Sequence, residues 1–159
     1  MNYKELDILL KSALSYSYSS DENLFKHFEQ KFEKVPFQDD FLFIFHHDRE
    51  FKKRNHIISL HQRVNGKVPM HIFHYIVITY VYSGSLKMRV ENDTVTLHQG
   101  DIIILDKHVP HSVYPTSEND LGINIILNEN YFPKKFINHL PHDQLTSQFM
   151  IELMNNQRT

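Results

Sequence analysis

The spacing of apolar positions changes period twice along the chain. Over residues 3–14, Leu6, Leu9, Leu10 and Ala13 recur at helical spacing, and after the polar stretch SYSYSSDEN a second amphipathic segment, NLFKHFEQKFEK, follows. Ser20 or Asp21 supplies the N-cap of that second helix. From Asp39 the runs FLFIFHH, HIISLHQ, HYIVITYVY, LKMRV, TVTL, DIIIL, HSVY and GINIIL are short, β-branched and aromatic, with turn formers between them. About eight strands in succession predict an antiparallel sandwich or barrel. Leu86, Met88 and Val90 alternate with Lys87, Arg89 and Glu91, and Asn92-Asp93 then turns the chain into Val95 and Leu97, a hairpin with one buried face. After Asn128 the helical period returns: YFPKKFINHL, Pro141, an N-cap at Asp143, and the stripe Leu145, Phe149, Met150, Leu153 and Met154. The expected organisation is a helical segment over 1–38, a β unit over 39–128 and helices over 129–159.

One segment within the β unit carries most of the chemical interest. If VPMHIFHYIVITYVYSGSL were a helix, His71 and His74 would share a face. Its Val, Ile, Thr and Tyr residues favour a strand instead, where residues three apart point to opposite sides. His71 then lies with Phe73, Tyr75, Val77, Thr79 and Val81, while His74 lies with Ile72, Ile76, Ile78, Tyr80 and Tyr82. Both sets are apolar, which predicts a strand covered on both faces. Further on, QGDIIILDKHVPHSVYP sets His108 and His111 on a proline-containing loop, with His98 just before it, a cluster of the right polarity to line a cavity mouth. A three-His or His-carboxylate iron or zinc site drawing on His71 and His111 from adjacent strands is one reading of these residues. The other, which applies equally to His46, His47, His56 and His61, is a strand-end or loop histidine satisfied by backbone or water.

Composition narrows the options. The 159 residues include 12 histidines and no cysteine, so disulfides, zinc fingers and thiol nucleophiles are excluded, which fits a reducing cytoplasm. Any metal would need His and carboxylate ligands. With 17 basic and 19 acidic residues the formal charge is −2, which argues against a self-sufficient nucleic-acid binder, because neutralising a phosphate backbone takes a positive footprint. No apolar stretch approaches the roughly 20 residues that cross a bilayer, and the N-terminus lacks the pattern of a secretory signal.

The order of Pro69 to Gly84, a hairpin, Gly100-Asp101 with four apolar residues, and Pro110-His111 resembles the double-stranded β-helix, or jelly-roll barrel, of the cupins. More closely, the Tyr80-Val81-Tyr82-Ser83-Gly84 turn, the run Leu97 to Asp101 and the tail FPKKFINHLPHDQLTSQF resemble the N-terminal sensor domain of AraC-type regulators of low-GC Gram-positive bacteria, over about residues 40 to 155. That resemblance implies a homodimer built with the flanking helices, a small-molecule effector, and DNA contact only through a C-terminal helix-turn-helix module outside this chain. Set against a metal-binding cupin, His71 keeps the first ligand position, Phe73 stands at the second, Val77 replaces the glutamate and His111 keeps the last. Asp106 and His108 stand where proline and glycine are expected. Two imidazoles without a carboxylate hold a divalent metal poorly, so no metal and no cofactor is expected.

The same replacements suit an apolar pocket with a few polar groups, lined by His71, Phe73, Tyr75, Val77, Thr79 and His111. The competing expectation is a barrel filled by its own side chains. Functionally, the expectation is a cytoplasmic sensing and dimerisation domain without catalytic residues, with Leu145, Phe149, Met150, Leu153 and Met154 at the dimer contact, although amphipathicity alone fits packing of that stripe against its own barrel equally well. The rival from another class is a small metal-dependent cupin enzyme, a dioxygenase or isomerase.

Overall fold

The computed structural model describes residues 2–13, 20–46, 48–61, 63–128 and 131. The expected dimer residues Leu145, Phe149, Met150, Leu153 and Met154 lie outside the described residues, as does nearly all of 129–159. The elements are α1 (Tyr3–Ser12), α2 (Asp21–Lys31), β1 (Glu33–Phe37), β2 (Asp40–Phe45), α3 (Asp48–Phe51), β3 (His56–Leu60), β4 (His71–Phe73), β5 (Ile76–Ser83), β6 (Ser85–Val90), β7 (Asp93–His98), β8 (Ile102–Leu105), β9 (His111–Val113) and β10 (Leu121–Leu127). Among the described residues no helix is long and apolar enough to cross a membrane.

The fold is mainly β, as the period-2 runs require. Six strands form one sheet in the order β1-β2-β4-β9-β6-β7, and four form a second in the order β3-β10-β5-β8. Their inward side chains meet in a core that includes Phe43, Val64, Met88, Leu105 and Val113. This is the double-stranded β-helix arrangement, but the expected closed barrel is not formed: among the described residues no ladder joins the edge strands of one sheet to those of the other. The molecule is two facing sheets, and the space between them is partly closed by α2, whose Leu24 and Phe28 are buried in the core. Ser20 caps that helix, its side chain accepting from the Asn23 N–H.

Three sequence expectations are corrected by the backbone. Residues 71–83 are two strands, not one: β4 belongs to the six-stranded sheet and β5 to the four-stranded sheet, with the crossing at His74 and Tyr75. Strand structure starts at Glu33, before the change of pattern at Asp39, and Glu33–Phe37 pairs antiparallel with Asp40–Phe45. The β6–β7 turn sits one residue earlier than Asn92-Asp93: Val90 pairs with Asp93, and Glu91 takes a left-handed φ of 52°.

α1 is amphipathic without a core to enter. Its N-terminus carries a capping box between Asn2 and Glu5, yet no residue in it is buried, and Ile8 and Leu9 are more than half exposed. The tight β5–β6 connection needs its glycine. Gly84 has φ of +68°, and a Cβ there would stand 2.7 Å from the Asn119 carbonyl oxygen, while Asp120 Oδ1 accepts the neighbouring Ser85 N–H at 2.8 Å.

Candidate functional site

Between the sheets lies a cavity of about 130 Å³. Its polar wall is set by sheet pairing: β4 and β9 are adjacent antiparallel strands, and His71 and His111 are direct partners across them. Both side chains are buried, and their rings are 4.2 Å apart between centroids and tilted by 58°. The same local bond fixes each ring. His71 Nδ1 lies 2.8 Å from the Pro69 carbonyl oxygen, and His111 Nδ1 lies 2.9 Å from the Val109 carbonyl oxygen. A carbonyl only accepts, so in each ring Nδ1 carries the proton and donates, and Nε2 is left as an acceptor.

Burial keeps both rings neutral. Desolvation pushes the His111 pKa down to about 4, with His61 adding to the effect and the Val109 hydrogen bond opposing it. Desolvation, followed by the neighbouring His111, holds His71 well below its ordinary value. Phe45 stacks on the His71 ring at 4.3 Å and Phe73 on the His111 ring at 5.6 Å, so the imidazoles sit in a mostly apolar frame.

The opposite wall comes from the four-stranded sheet. Val77 and Thr79 of β5 face the cavity, and Thr79 is paired across the ladder with Asn124 of β10. Thr79 Oγ1 donates to Asn124 Oδ1 at 2.8 Å, and both residues line the cavity. The cavity thus sets the imidazoles of His71 and His111, with His61 beside them, against the Thr79–Asn124 pair, between apolar surfaces supplied by Leu24, Phe28, Leu105 and Met88.

Five of the six residues expected from sequence therefore line one cavity: His71, Phe73, Val77, Thr79 and His111. Tyr75 does not. It sits where the chain crosses between sheets, where strand alternation is interrupted, and its ring packs on Phe51 at 4.5 Å in a separate cluster with Val77 and Ile126. Sequence reading passed over Asn124 and treated His61 as an ordinary loop histidine, yet both line the cavity. Asn124 had a signal, a lone amide inside the apolar run GINIIL.

The other histidines disperse. His74 is exposed, as expected for the outer side, and its Nδ1 lies 2.7 Å from His108 Nε2, with the His46 ring stacked at 5.0 Å. His108 was expected at the cavity mouth beside His111, but with φ of 64° it turns to that surface group. His98 is exposed beside Asp101. A larger groove of about 460 Å³ runs along the outer side of α2 and contains none of the expected pocket residues.

The donor set fits a metal poorly. Among the lining residues only His61, His71 and His111 carry imidazoles, Phe73 and Val77 offer nothing, and among the described residues no group of three or more His, Asp or Glu is placed to hold an ion. The carboxylate that would complete a cupin-type ligand set is missing from this wall.

The family model for the AraC-like ligand binding domain matches residues 57–146. Among solved structures, a cupin-2 domain protein of Shewanella frigidimarina is 14% identical at a TM-score of 0.45, covering 80% of this chain and 93% of that one. A cupin protein of Bacteroides fragilis is 13% identical at 0.44, covering 65% and 89%. A conserved Streptococcus pyogenes protein of unknown function is 13% identical at 0.42, covering 47% of this chain and 66% of that one, just under two thirds of its length. A search of the curated proteins gives no match.

Proposed function

The chain belongs to the family of AraC-like ligand binding domains, and from that premise we propose that it is the effector-sensing and dimerisation domain of a cytoplasmic AraC-type transcriptional regulator, with no catalytic role of its own. DNA contact falls to a helix-turn-helix module outside this chain, in keeping with the formal charge of −2. Dimerisation is assigned to the region 129–159. The effector alters the two sheets around the cavity, and with them the spacing of two DNA-binding modules over their half-sites.

The observation that carries this reading is the pair of neutral imidazoles. Each ring has its Nδ1 bonded to a backbone carbonyl, which leaves Nε2 as the acceptor of two residues that line one mostly apolar cavity with Thr79 and Asn124. Such a wall selects a small, uncharged, ring-sized molecule that presents a hydroxyl or amine hydrogen, since a cavity near 150 Å³ holds about one benzene ring.

Phenol and benzene are a matched pair of probes for this wall. Calorimetric titration is expected to give saturable binding of phenol, weaker binding of benzene, and loss of the difference in a His71→Leu, His111→Leu double variant. Equal affinity for the two probes in the unsubstituted chain would remove the role given to the histidines. Metal analysis of protein purified without a histidine tag addresses the enzyme alternative: stoichiometric iron, manganese, nickel or zinc held through His71 and His111 would overturn the sensing reading.

A further inference from the structure

α2 borders two spaces. Leu24 and Phe28 face the interior cavity, while Phe25 and Glu29 of the same helix form one wall of the outer groove of about 460 Å³. The floor of that groove belongs to the six-stranded sheet. Ser112 of β9 lies between His111 and Val113, which line the interior cavity, so alternation turns its side chain outward beside Arg89, its partner on β6. Phe25, Val68, Pro69 and Met70 supply the apolar part of the lining. The volume falls within the roughly 300–1,000 Å³ of small-molecule sites.

Most charges around this groove are already matched. Lys26 Nζ is 2.6 Å from Glu22, Glu29 is paired with Lys34, Asp21 Oδ1 accepts the Lys67 N–H at 2.7 Å, and the Lys67 ammonium stands 4.9 Å over the Tyr114 ring. Three polar groups are left over. Arg89 donates through Nε to the Glu91 carbonyl and, at 3.4 Å, to Gln38, so among the described residues its guanidinium has no carboxylate partner. Asp40 likewise has no cation partner among them. Gln38 sits in the turn between β1 and β2 and Asp40 opens β2, so the Arg89 contact brings the cation to the same end of the groove as the carboxylate. Ser112 is 1% exposed and its hydroxyl has no hydrogen-bond partner in the protein, an unfavourable state that a bound polar group would relieve.

We propose that this groove is a second ligand site, for a free α-amino acid with an apolar side chain. Arg89 pairs with its carboxylate, Asp40 with its ammonium, and Ser112 donates to the carboxylate, while Phe25, Val68 and Met70 cover the side chain. An anion alone would leave Asp40 unmatched and a cation alone would leave Arg89 so; an amphoteric molecule matches both. The site is separate from the interior cavity, yet α2 is common to the two: Phe25 meets Phe43 at 5.5 Å, and Phe28 packs on the same Phe43 ring from the cavity side.

Calorimetric titration of the full 159-residue chain with L-phenylalanine, 3-phenylpropionate and phenethylamine tests this, because the second probe lacks the ammonium and the third the carboxylate. L-Phenylalanine is expected to bind saturably at one site, and each analogue about tenfold more weakly or worse. Arg89→Gln and Asp40→Asn change positions outside the core. The first should lower L-phenylalanine affinity to that of phenethylamine, and the second to that of 3-phenylpropionate. The folded His71→Leu, His111→Leu variant, altered only in the interior cavity, should bind L-phenylalanine as the parent does. No saturation by L-phenylalanine up to about 10 mM, or an affinity that neither Arg89→Gln nor Asp40→Asn lowers, would overturn the inference. Loss of L-phenylalanine binding in the histidine variant would do the same, by placing the amino acid between the sheets.

Discussion

His71 and His111 are cross-strand partners whose rings lie 4.2 Å apart, each anchored through Nδ1 to the carbonyl two residues before it. The repetition of one local bond on two neighbouring strands aligns two acceptors toward the same space. Neither imidazole is protonated near neutral pH, which sets the chemistry the cavity offers.

Stability is expected to fall on acidification. Both folded-state pKa values lie below the unfolded value near 6.5, so the unfolded chain takes up protons first as pH drops. The stability is fully present above about pH 6.5, is lost progressively down to about pH 4 for His111, and the loss from that residue levels off below. At its steepest each histidine contributes about 1.4 kcal/mol per pH unit. Urea denaturation between pH 7 and 4.5 measures this, and a His71→Leu, His111→Leu variant should show a flatter profile.

Asn124→Ala leaves the buried Thr79 hydroxyl without its acceptor. The expected cost is about 1–3 kcal/mol, and Asn124→Ala with Thr79→Val should recover part of it because both polar groups are then gone. A double-mutant cycle by chemical denaturation checks the coupling; independent, additive losses would contradict the pairing.

Leu24→Ala and Phe28→Ala open the α2 side of the cavity. Both residues are buried in the core, and each truncation is expected to destabilise by about 2–5 kcal/mol. They also enlarge the space next to His71, so a larger phenol such as a naphthol should bind the Phe28 variant and not the parent. Calorimetry on the two proteins compares them directly.

Gly84→Ala combines a left-handed φ with a Cβ that would stand 2.7 Å from the Asn119 carbonyl oxygen. A loss of about 2 kcal/mol or more is expected, read as a lower thermal midpoint. Gly100→Ala shares the positive φ but has open space around the new Cβ, and should cost less. Equal losses at the two sites would mean that backbone strain alone sets the cost.

What the sequence determined by itself was local and periodic. Alternation of Leu86, Met88 and Val90 with charged residues gave the β6–β7 hairpin, and odd-numbered parity put His71, Phe73, Val77 and Thr79 on the inward side. That parity survived even though β4 and β5 lie in different sheets, because the two residues at the crossing preserve the count. The crossing itself was illegible: each side of 71–83 is apolar whether it is one strand or two, and Tyr75 was lost to the Phe51 cluster for that reason.

Only the tertiary structure decided which distant residues meet. His111 faces His71 because β4 and β9 pair across forty residues of chain, and Asn124 enters the site because β10 pairs with β5. His108, three residues from His111, leaves for the surface because one left-handed φ redirects it. Hydrophobic periodicity reports which side of an element is buried. Non-local hydrogen-bonded pairing sets which element lies opposite, and on that pairing the chemistry of this cavity depends.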